Sequence, residues 1–498
     1  MTLPGPDEWP VDADRSVAVT DLLRARAERT PDRTLLIDAD EDERWTAAEF
    51  DRRVARAAAG IDALPGDGRV GTLLPTGVAF AEVAFAVPRL GRSLVPLNVQ
   101  LDRETLADQV ERAGIDTLLC DDDTEELARA VASDDVTVTD VGALDDSSGD
   151  SGAPSNPRDP DAERLVMFTS GTTGRPKGVR LTTANLVASA SASAARLGVD
   201  PDDRWLICLP MYHMGGLAPL VRSTLYGTRA VLQREFDADE TARVLREHDV
   251  TGVSLVPTTL TRLLDSGWTL TDALRFVLLG GGPAPEGLIE RCERRDVPVF
   301  PTYGLTETAS QVATATPEEA FAHEGTVGRP LRDTSVSIVA DGVDQPPGET
   351  GEVVVDGPTV TPGYLDDAAT AAAFGDRGLR TGDRGYRDEG GRLWVLGRAD
   401  DVIVTGGENV RPANVAAALR AHPDVDDAAV VGVPDEEWGE RVAALVVPDG
   451  DPTVDALRAH ARDELPAFAV PKTVRLVETL PRTPSGTVDR ERARELSK

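Results

Sequence analysis

Phe168-Thr169-Ser170-Gly171-Thr172-Thr173-Gly174-Arg175-Pro176-Lys177-Gly178 follows a short apolar run, Leu165-Val166-Met167-Phe168, that reads as a strand ending in a loop. Its glycines let the backbone turn tightly and approach a ligand, while its hydroxyls and successive N–H groups offer donors to an anion. Lys177 adds a mobile point charge suited to phosphate. The spacing is not that of a Walker A loop, which needs Gly, four residues, then Gly-Lys-Ser/Thr. By composition alone such a loop serves equally well as a flexible linker. Lysine usage separates the two readings. The chain holds only Lys177, Lys472 and Lys498, and arginine supplies almost every other cation, so a lysine kept in this loop points to phosphate.

Outward from the loop, residues 17–140 alternate helix-like and strand-like segments. Ala18 to Arg29 reads as a helix and Leu35-Leu36-Ile37 as a strand. Thr46 to Leu64 reads as a helix opened by a threonine cap, with Glu49 three residues later. Val70 to Leu74 is a short strand and Val78 to Leu90 a mostly apolar helix. Such alternation predicts an α/β domain with largely parallel sheets. The acidic, Ser/Gly/Pro-rich stretch Asp145 to Pro160 reads as a surface excursion.

From Gly328-Arg329-Pro330 the chain grows richer in strands, with Val336 to Val339 and Glu352 to Val355 as an antiparallel pair. After Asp400 the pattern changes again. A helix is predicted from Asn414 to Ala421, strands at Ala428 to Val433 and Val442 to Val447, and a helix at Asp455 to Glu464. The expected fold class is α/β: a large N-terminal domain of α/β subdomains with an associated β-rich subdomain over residues 1–399, plus a small α+β C-terminal domain over 400–498. A unit of roughly 100 residues is a common size for an independent domain.

A chain of 498 residues exceeds the length at which one core keeps growing, which also predicts two or more domains. Acidic residues number 86 against 52 basic ones, a formal charge of −34. That surface argues against nucleic acid and against anionic membranes, both of which repel it. Excess Asp and Glu with lysine nearly absent resembles the cytoplasmic proteins of salt-loving archaea, where concentrated salt screens self-repulsion. Cys120, Cys208 and Cys292 are few, odd in number and far apart, so they form neither a disulfide framework nor a zinc pattern. They read as buried small apolar residues in a reducing compartment. The opening Met1-Thr2-Leu3-Pro4-Gly5-Pro6-Asp7 lacks the layout of a signal peptide, and no uncharged apolar run approaches the ~20 residues that span a bilayer. The expectation is a soluble, cytoplasmic protein with no membrane insertion. Oligomeric state is not legible.

Further motifs accompany the loop in order: Tyr303-Gly304-Leu305-Thr306-Glu307-Thr308, Thr381-Gly382-Asp383, Gly397-Arg398-Ala399-Asp400-Asp401 and Gly406-Gly407-Glu408-Asn409-Val410. Together they resemble the acyl-adenylate-forming enzymes, the superfamily of acyl-CoA synthetases, peptide-synthetase adenylation domains and luciferases. The resemblance spans nearly the whole chain. It implies an enzyme that joins a carboxylic acid to the α-phosphate of ATP and passes the acyl group to CoA. Thr169, Ser170, Gly171, Thr172, Thr173, Gly174 and Lys177 would hold the departing phosphates. Tyr303 and Gly304 would lie at adenine, Thr306 near the α-phosphate and Glu307 on Mg²⁺. Asp383 would accept from the ribose hydroxyls, with Arg398 beside it. Gly281 and Gly282, after the apolar strand Phe276 to Leu279, would floor the adenine and acyl slots. Asp400 would be the hinge of a mobile C-terminal domain, bringing Gly406-Gly407 beside the CoA arm.

A narrower resemblance concerns the acid. Met211-Tyr212-His213-Met214-Gly215-Gly216-Leu217, Val221 to Gly227, Gly280-Gly281-Gly282-Pro283-Ala284-Pro285 and Thr306-Glu307-Thr308-Ala309-Ser310-Gln311 are similar to the 2-succinylbenzoate–CoA ligases of menaquinone synthesis. An aryl- or fatty-acid–CoA ligase is the alternative, since these families differ by a few pocket residues. His213 would contact or gate the acyl group, and Arg222, nine residues on, would hold the second, unreacted carboxylate. One departure stands out. In Pro481-Arg482-Thr483-Pro484-Ser485-Gly486-Thr487-Val488-Asp489-Arg490, Thr487 occupies the place where the superfamily has a lysine that bridges substrate carboxylate and α-phosphate. A catalytically silent AMP- or acyl-binding homologue is therefore a further reading. Arg490, Arg482 and Lys472 are the candidate cations to compensate, but none stands at the right position, and guanidinium does not replace ammonium geometrically.

Overall fold

Short apolar strands, pairing mostly in parallel, build two large sheets in the computed structural model. It describes residues 21–146, 159–169, 176–284, 287–398, 403–405, 408–410, 412–435, 438–482 and 488–498. One sheet has nine strands. Its central members, Thr34–Asp38, Arg229–Leu232, Arg204–Ile207, Gly252–Leu255, Phe276–Leu279 and Val299–Leu305, run parallel, and antiparallel strands close both edges. The other sheet has seven strands, among them Arg69–Leu73, Leu94–Pro96 and Glu163–Thr169. The expected α/β alternation is realised with its boundaries moved by a few residues. The Ala47–Asp62 helix carries the capping box expected at Thr46 and Glu49. Cys120, Cys208 and Cys292 are buried free thiols, as expected.

Glu163–Thr169 does not lead to a helix directly but returns as the antiparallel strand Lys177–Thr182, with Thr169 opposite Lys177. Thr169 and Lys177 thus end two paired strands, and residues 170–175 between them lie outside the described residues. Only after that hairpin does the Thr183–Leu197 helix begin, capped by Thr182 and Asn185.

A single apolar cluster joins the two sheets. It takes Leu35, Leu36, Ala230 and Leu232 from the first, and Val70, Leu94, Leu165, Met167 and Val179 from the second. Between them lies the Met214–Tyr226 helix, buried along almost its whole length. A helix apolar on all faces is stable only in such a sandwiched position. Arg26 fixes its far end. Its guanidinium donates to the carbonyls of Thr224 (2.9 Å) and Leu225 (2.5 Å), which the helix leaves without intrahelical partners.

Ser335–Ala340, Gly351–Asp356, Gly378–Arg387 and Leu393–Arg398 form an antiparallel sheet beside these layers, with the first two paired as expected. Beyond residue 400, Val425–Asp435 and Gly439–Pro448 pair antiparallel along their length, flanked by the helices Pro412–Arg420, Val454–Glu464 and Arg490–Leu496. Their apolar clusters draw only on residues after 400. The hinge residue Asp400 lies outside the described residues, as does Gly407. Among the described residues no helix is long and apolar enough to cross a membrane.

Backbone approach is tightest where Val299–Leu305 turns into Ser310–Thr314. A Cβ on Gly304 would stand 1.6 Å from the Ser310 carbonyl oxygen. Gly304→Ala should therefore cost about 3 kcal/mol of stability, the upper end for overpacking, read as a lower denaturant midpoint. Gly282→Ala is the control. Its Cβ would meet nothing within 4 Å, and the midpoint should stay put.

Candidate active site

The carboxyl ends of parallel strands are where open α/β sheets bind ligands, and the principal cleft of this chain opens there. It encloses about 1470 Å³. Phe276–Leu279 delivers Gly281 and Gly282 to its wall, and Val299–Leu305 delivers Tyr303, Gly304, Thr306 and Glu307. Thr169 and Lys177 enter from the hairpin, and Asp383 and Arg398 from the antiparallel sheet. Residues more than two hundred positions apart thus share one cavity, as the ordered motifs predict. Ser170, Gly171, Thr172, Thr173 and Gly174 fall outside the described residues.

Charge inside the cleft inverts that of the chain. Arg112, Lys177, Arg380, Arg384, Arg398 and Arg490 line it against Glu307, Glu352, Asp366 and Asp383. A protein with a formal charge of −34 keeps basic groups in excess at this concave surface. Polyanions are attracted to such a focused field.

Lys177 and Glu307 meet through a residue the sequence did not single out. The Lys177 ammonium sits 5.2 Å from the centre of the Tyr364 ring. The Tyr364 hydroxyl donates to Glu307 Oε1 at 3.0 Å. Burial, then the Glu307 carboxylate, hold that phenol well above its ordinary range, so it remains a donor. Tyr364 arrives because Gly363–Tyr364 pairs antiparallel with Val179 and Arg180 of the hairpin. Nearby, the Thr361 N–H donates to the Glu307 carbonyl at 2.7 Å. No local pattern around Tyr364 reveals this, because its role depends on pairing across the chain.

For magnesium the residues fit. Glu307 offers a hard carboxylate at the cleft wall, and among the described residues no group of three or more His, Cys, Asp or Glu converges into a protein-only metal cage. A single carboxylate completed by phosphate oxygens and water is a usual arrangement for this ion.

On the antiparallel sheet side of the cleft, Asp383 is buried and firmly held. Tyr303 donates to Oδ2 at 2.5 Å, Arg398 Nη1 lies 3.4 Å from Oδ1, and the Asp383 N–H donates to Thr381 Oγ1. The tyrosine is anchored through its hydroxyl, leaving its ring as the part able to lie along a base. Burial and Asp383 keep that hydroxyl protonated, far above the usual phenol range.

The turn after Glu307 is strained. Ala309 has φ +49° and Ser310 φ +116°, in a region that side chains other than glycine avoid. Ser189 of the Thr183–Leu197 helix restrains it by donating to the Ala309 carbonyl at 2.7 Å. Arg222 Nη2 in turn donates to Ser189 Oγ at 3.4 Å.

His213 and Arg222 are not on the cleft wall. His213 precedes the Met214–Tyr226 helix, with Nε2 shielded and without a hydrogen-bond partner. Burial lowers its pKa to about 4, so at neutral pH the imidazole is uncharged. Arg222 is no surface arginine. It is only 2% exposed, its guanidinium lies 5.5 Å from the centre of the Trp205 ring, and Nε has no partner. Among the described residues no carboxylate comes within ion-pair distance of it.

The chain belongs to the family of AMP-binding enzymes, which matches residues 23–365, with that family's C-terminal domain matching residues 414–487. It is 38% identical over 487 residues to the 2-succinylbenzoate–CoA ligase of Bacillus licheniformis, covering 94% of this chain and 98% of that enzyme. Its fold superposes on the o-succinylbenzoate–CoA synthetase of Bacillus subtilis in complex with an acyl-adenylate intermediate, at a TM-score of 0.88, with 35% identity over 95% of this chain and 98% of that one. The same Bacillus enzyme in complex with ATP and magnesium ion gives 0.86, at the same identity and coverage. ATP-bound MatB from Rhodopseudomonas palustris fits almost as well at 0.87, but with 27% identity over 96% of this chain and all of that one. Backbone shape is therefore kept even where identity falls to 27%.

Lys177→Ala and Glu307→Gln should each slow adenylate formation by ~10²-fold, the usual consequence of losing one electrostatic stabiliser. Both side chains lie at the cleft surface, so thermal unfolding should shift little. Pyrophosphate release in the absence of CoA measures the effect, and wild-type rates would remove either residue from the chemistry.

Proposed function

We propose that this chain is a ligase that activates 2-succinylbenzoate with ATP and transfers the acyl group to CoA, releasing pyrophosphate and then AMP. The observation that carries the reading is full-length similarity to 2-succinylbenzoate–CoA ligases, together with a cleft that gathers Lys177, Glu307, Tyr303 and Asp383. In the first step a carboxylate oxygen attacks the α-phosphorus, and the bond to the β-phosphate breaks with its electron pair leaving on pyrophosphate. In the second a thiolate attacks the acyl carbon and AMP departs. Neither step needs a redox partner.

The chain's own part is to hold anions together. Lys177 meets the departing phosphates, Asp383 orients the ribose through its remaining lone pairs, and Thr306 offers a hydroxyl beside the α-phosphate. Glu307 would hold Mg²⁺, which when bound offsets triphosphate charge. His213, neutral at physiological pH, serves as a polar contact at the acyl group rather than as a cation.

Arg222 supports the choice of a diacid. An isolated buried cation costs several kcal/mol unless an anion joins it. With no protein carboxylate beside it among the described residues, the ring carboxylate of 2-succinylbenzoate is a suitable partner. This reading places the aromatic ring behind the strained turn at Ala309 rather than in the open cleft. Arg222→Ala should raise KM for 2-succinylbenzoate, leave ATP binding unchanged, and narrow the preference over a monoacid analogue lacking the ring carboxylate. Pyrophosphate release across a panel of acids decides it. No diacid preference in the wild type would favour an aryl- or fatty-acid ligase, and no release with any acid a silent homologue.

The domain boundary at Asp400 belongs to the same proposal. It is supported by apolar clusters that do not mix residues from its two sides. Pyrophosphate must leave before the thiol enters, so the two steps call for two arrangements of the C-terminal unit. Proline fixes φ, and Asp400→Pro should slow one half-reaction much more than the other. Equal slowing in single-turnover assays would count against a hinge there.

A further inference from the structure

The Arg103–Ala113 helix ends beside the strands that carry Thr169 and Lys177, and two arginines fasten it there. Arg69 acts at the end away from Thr169. Its Nη1 donates to the Ala113 carbonyl at 2.7 Å, and its Nε donates to Glu163 Oε1, at the start of the first strand, at 2.7 Å. Arg180 of the second strand donates to the same carboxylate at 2.8 Å. Val110 and Ala113 pack into the apolar cluster with Ile115 and Leu118, which holds the helix end in place.

Arg112 acts at the other end. Its guanidinium carbon lies 5.8 Å from the centre of the Phe168 ring, and Nη1 donates to the Pro176 carbonyl at 2.8 Å. Phe168 stands on the strand that ends at Thr169, and Pro176 directly precedes Lys177. One side chain therefore touches both strands where they reach the cleft. Asp108, one turn earlier, accepts from the same nitrogen at 3.1 Å and aims the guanidinium. A cation in the last turn of a helix needs no reason beyond the helix dipole. The dipole does not direct it onto a carbonyl of another element. Thr487 lies outside the described residues, whereas Arg112 and each of these partners lie within them.

We propose that Arg112 is the positioning residue for Lys177: by holding the Pro176 carbonyl beside the Phe168 strand, it fixes where the Lys177 ammonium enters the cleft. The proposal rests on the ligase reading above, in which Lys177 meets the departing phosphates. Tyr364 bears on the lysine from the opposite edge of the same strand, through its ring. Lys177 is thus set through its backbone by Arg112 and at its tip by Tyr364. Arg112 exchanges no proton and acts through Lys177.

The test separates the half-reactions in the full-length chain. Adenylate formation is followed by pyrophosphate release without CoA, and thioester formation by supplying synthetic acyl-adenylate with CoA. The acyl-adenylate has already lost the phosphates that Lys177 meets. Arg112→Met keeps an apolar stem beside Phe168 and removes every donor. It should slow the first half-reaction by ~10-fold, within the ~10²-fold that a misplacement of about 1 Å can cost, and leave the second nearly unchanged. Arg112→Lys, which restores a donor, should recover part of the first rate. In a Lys177→Ala background Arg112→Met should have little further effect, because the group it places is gone. Four results would each overturn the assignment and leave the ligase reading intact: a wild-type rate of adenylate formation in Arg112→Met, equal slowing of both half-reactions, an Arg112→Lys chain no faster than Arg112→Met, or an undiminished effect without Lys177. A wild-type chain releasing no pyrophosphate with any acid would overturn the ligase reading itself, and this assignment with it.

Discussion

The two-residue strand Gly363–Tyr364 is the contact on which the cleft depends. It adds to the edge of the hairpin that carries Lys177, and from there Tyr364 reaches Glu307 with its hydroxyl and Lys177 with its ring. Thr361 fastens the same segment to the Glu307 backbone. Three stretches of chain with no sequence proximity are thereby held at one point. Had the segment been free, the hairpin and the Thr306–Thr308 turn would belong to separate sheets, joined near the cleft through the shared apolar cluster and the Ser189 contact to Ala309. Precise placement of groups that neutralise anions is what phosphoryl and adenylyl transfer ask of a protein.

Electrostatics divides the molecule along similar lines. Outside, acidic residues dominate and repel other polyanions. Inside the cleft, basic groups exceed acidic ones. Arg222 is a separate case, a cation inside an apolar helix with only a hydroxyl and an aromatic ring for company. Packing alone does not account for it, because an apolar side chain of similar length would fill the space without the cost of a buried charge.

Much of this was legible in the sequence because it is encoded locally. The Thr46 and Glu49 capping box and the Phe276–Leu279 strand each announce themselves within a few residues. The antiparallel return of the loop did not, since Lys177–Thr182 reads as a strand only once its partner is known. Tyr364, Ser189 and Trp205 were missed for the same reason: each acts through a neighbour far away in the chain. The burial of Arg222 is not legible either, because charge normally resides at the surface, and only the layer on each side of its helix reveals it. The same holds for Arg482 and Lys472, whose partners Asp427 and Trp438 only the fold reveals.

The backbone at Ala309 and Ser310 carries a wider implication. Left-handed conformations at residues other than glycine cost of order 1–3 kcal/mol each, and this chain retains two in succession. Ser189 holds one end of the strained turn, and Gly304 permits the close approach at the other. A substitution that relaxed the turn, glycine at either position being the simplest, would make the folded state more stable and the placement of Thr306 and Glu307 less certain. Stability and rate are therefore set against each other at this turn, and a search for hardier variants would be drawn to the segment where rigidity is most needed.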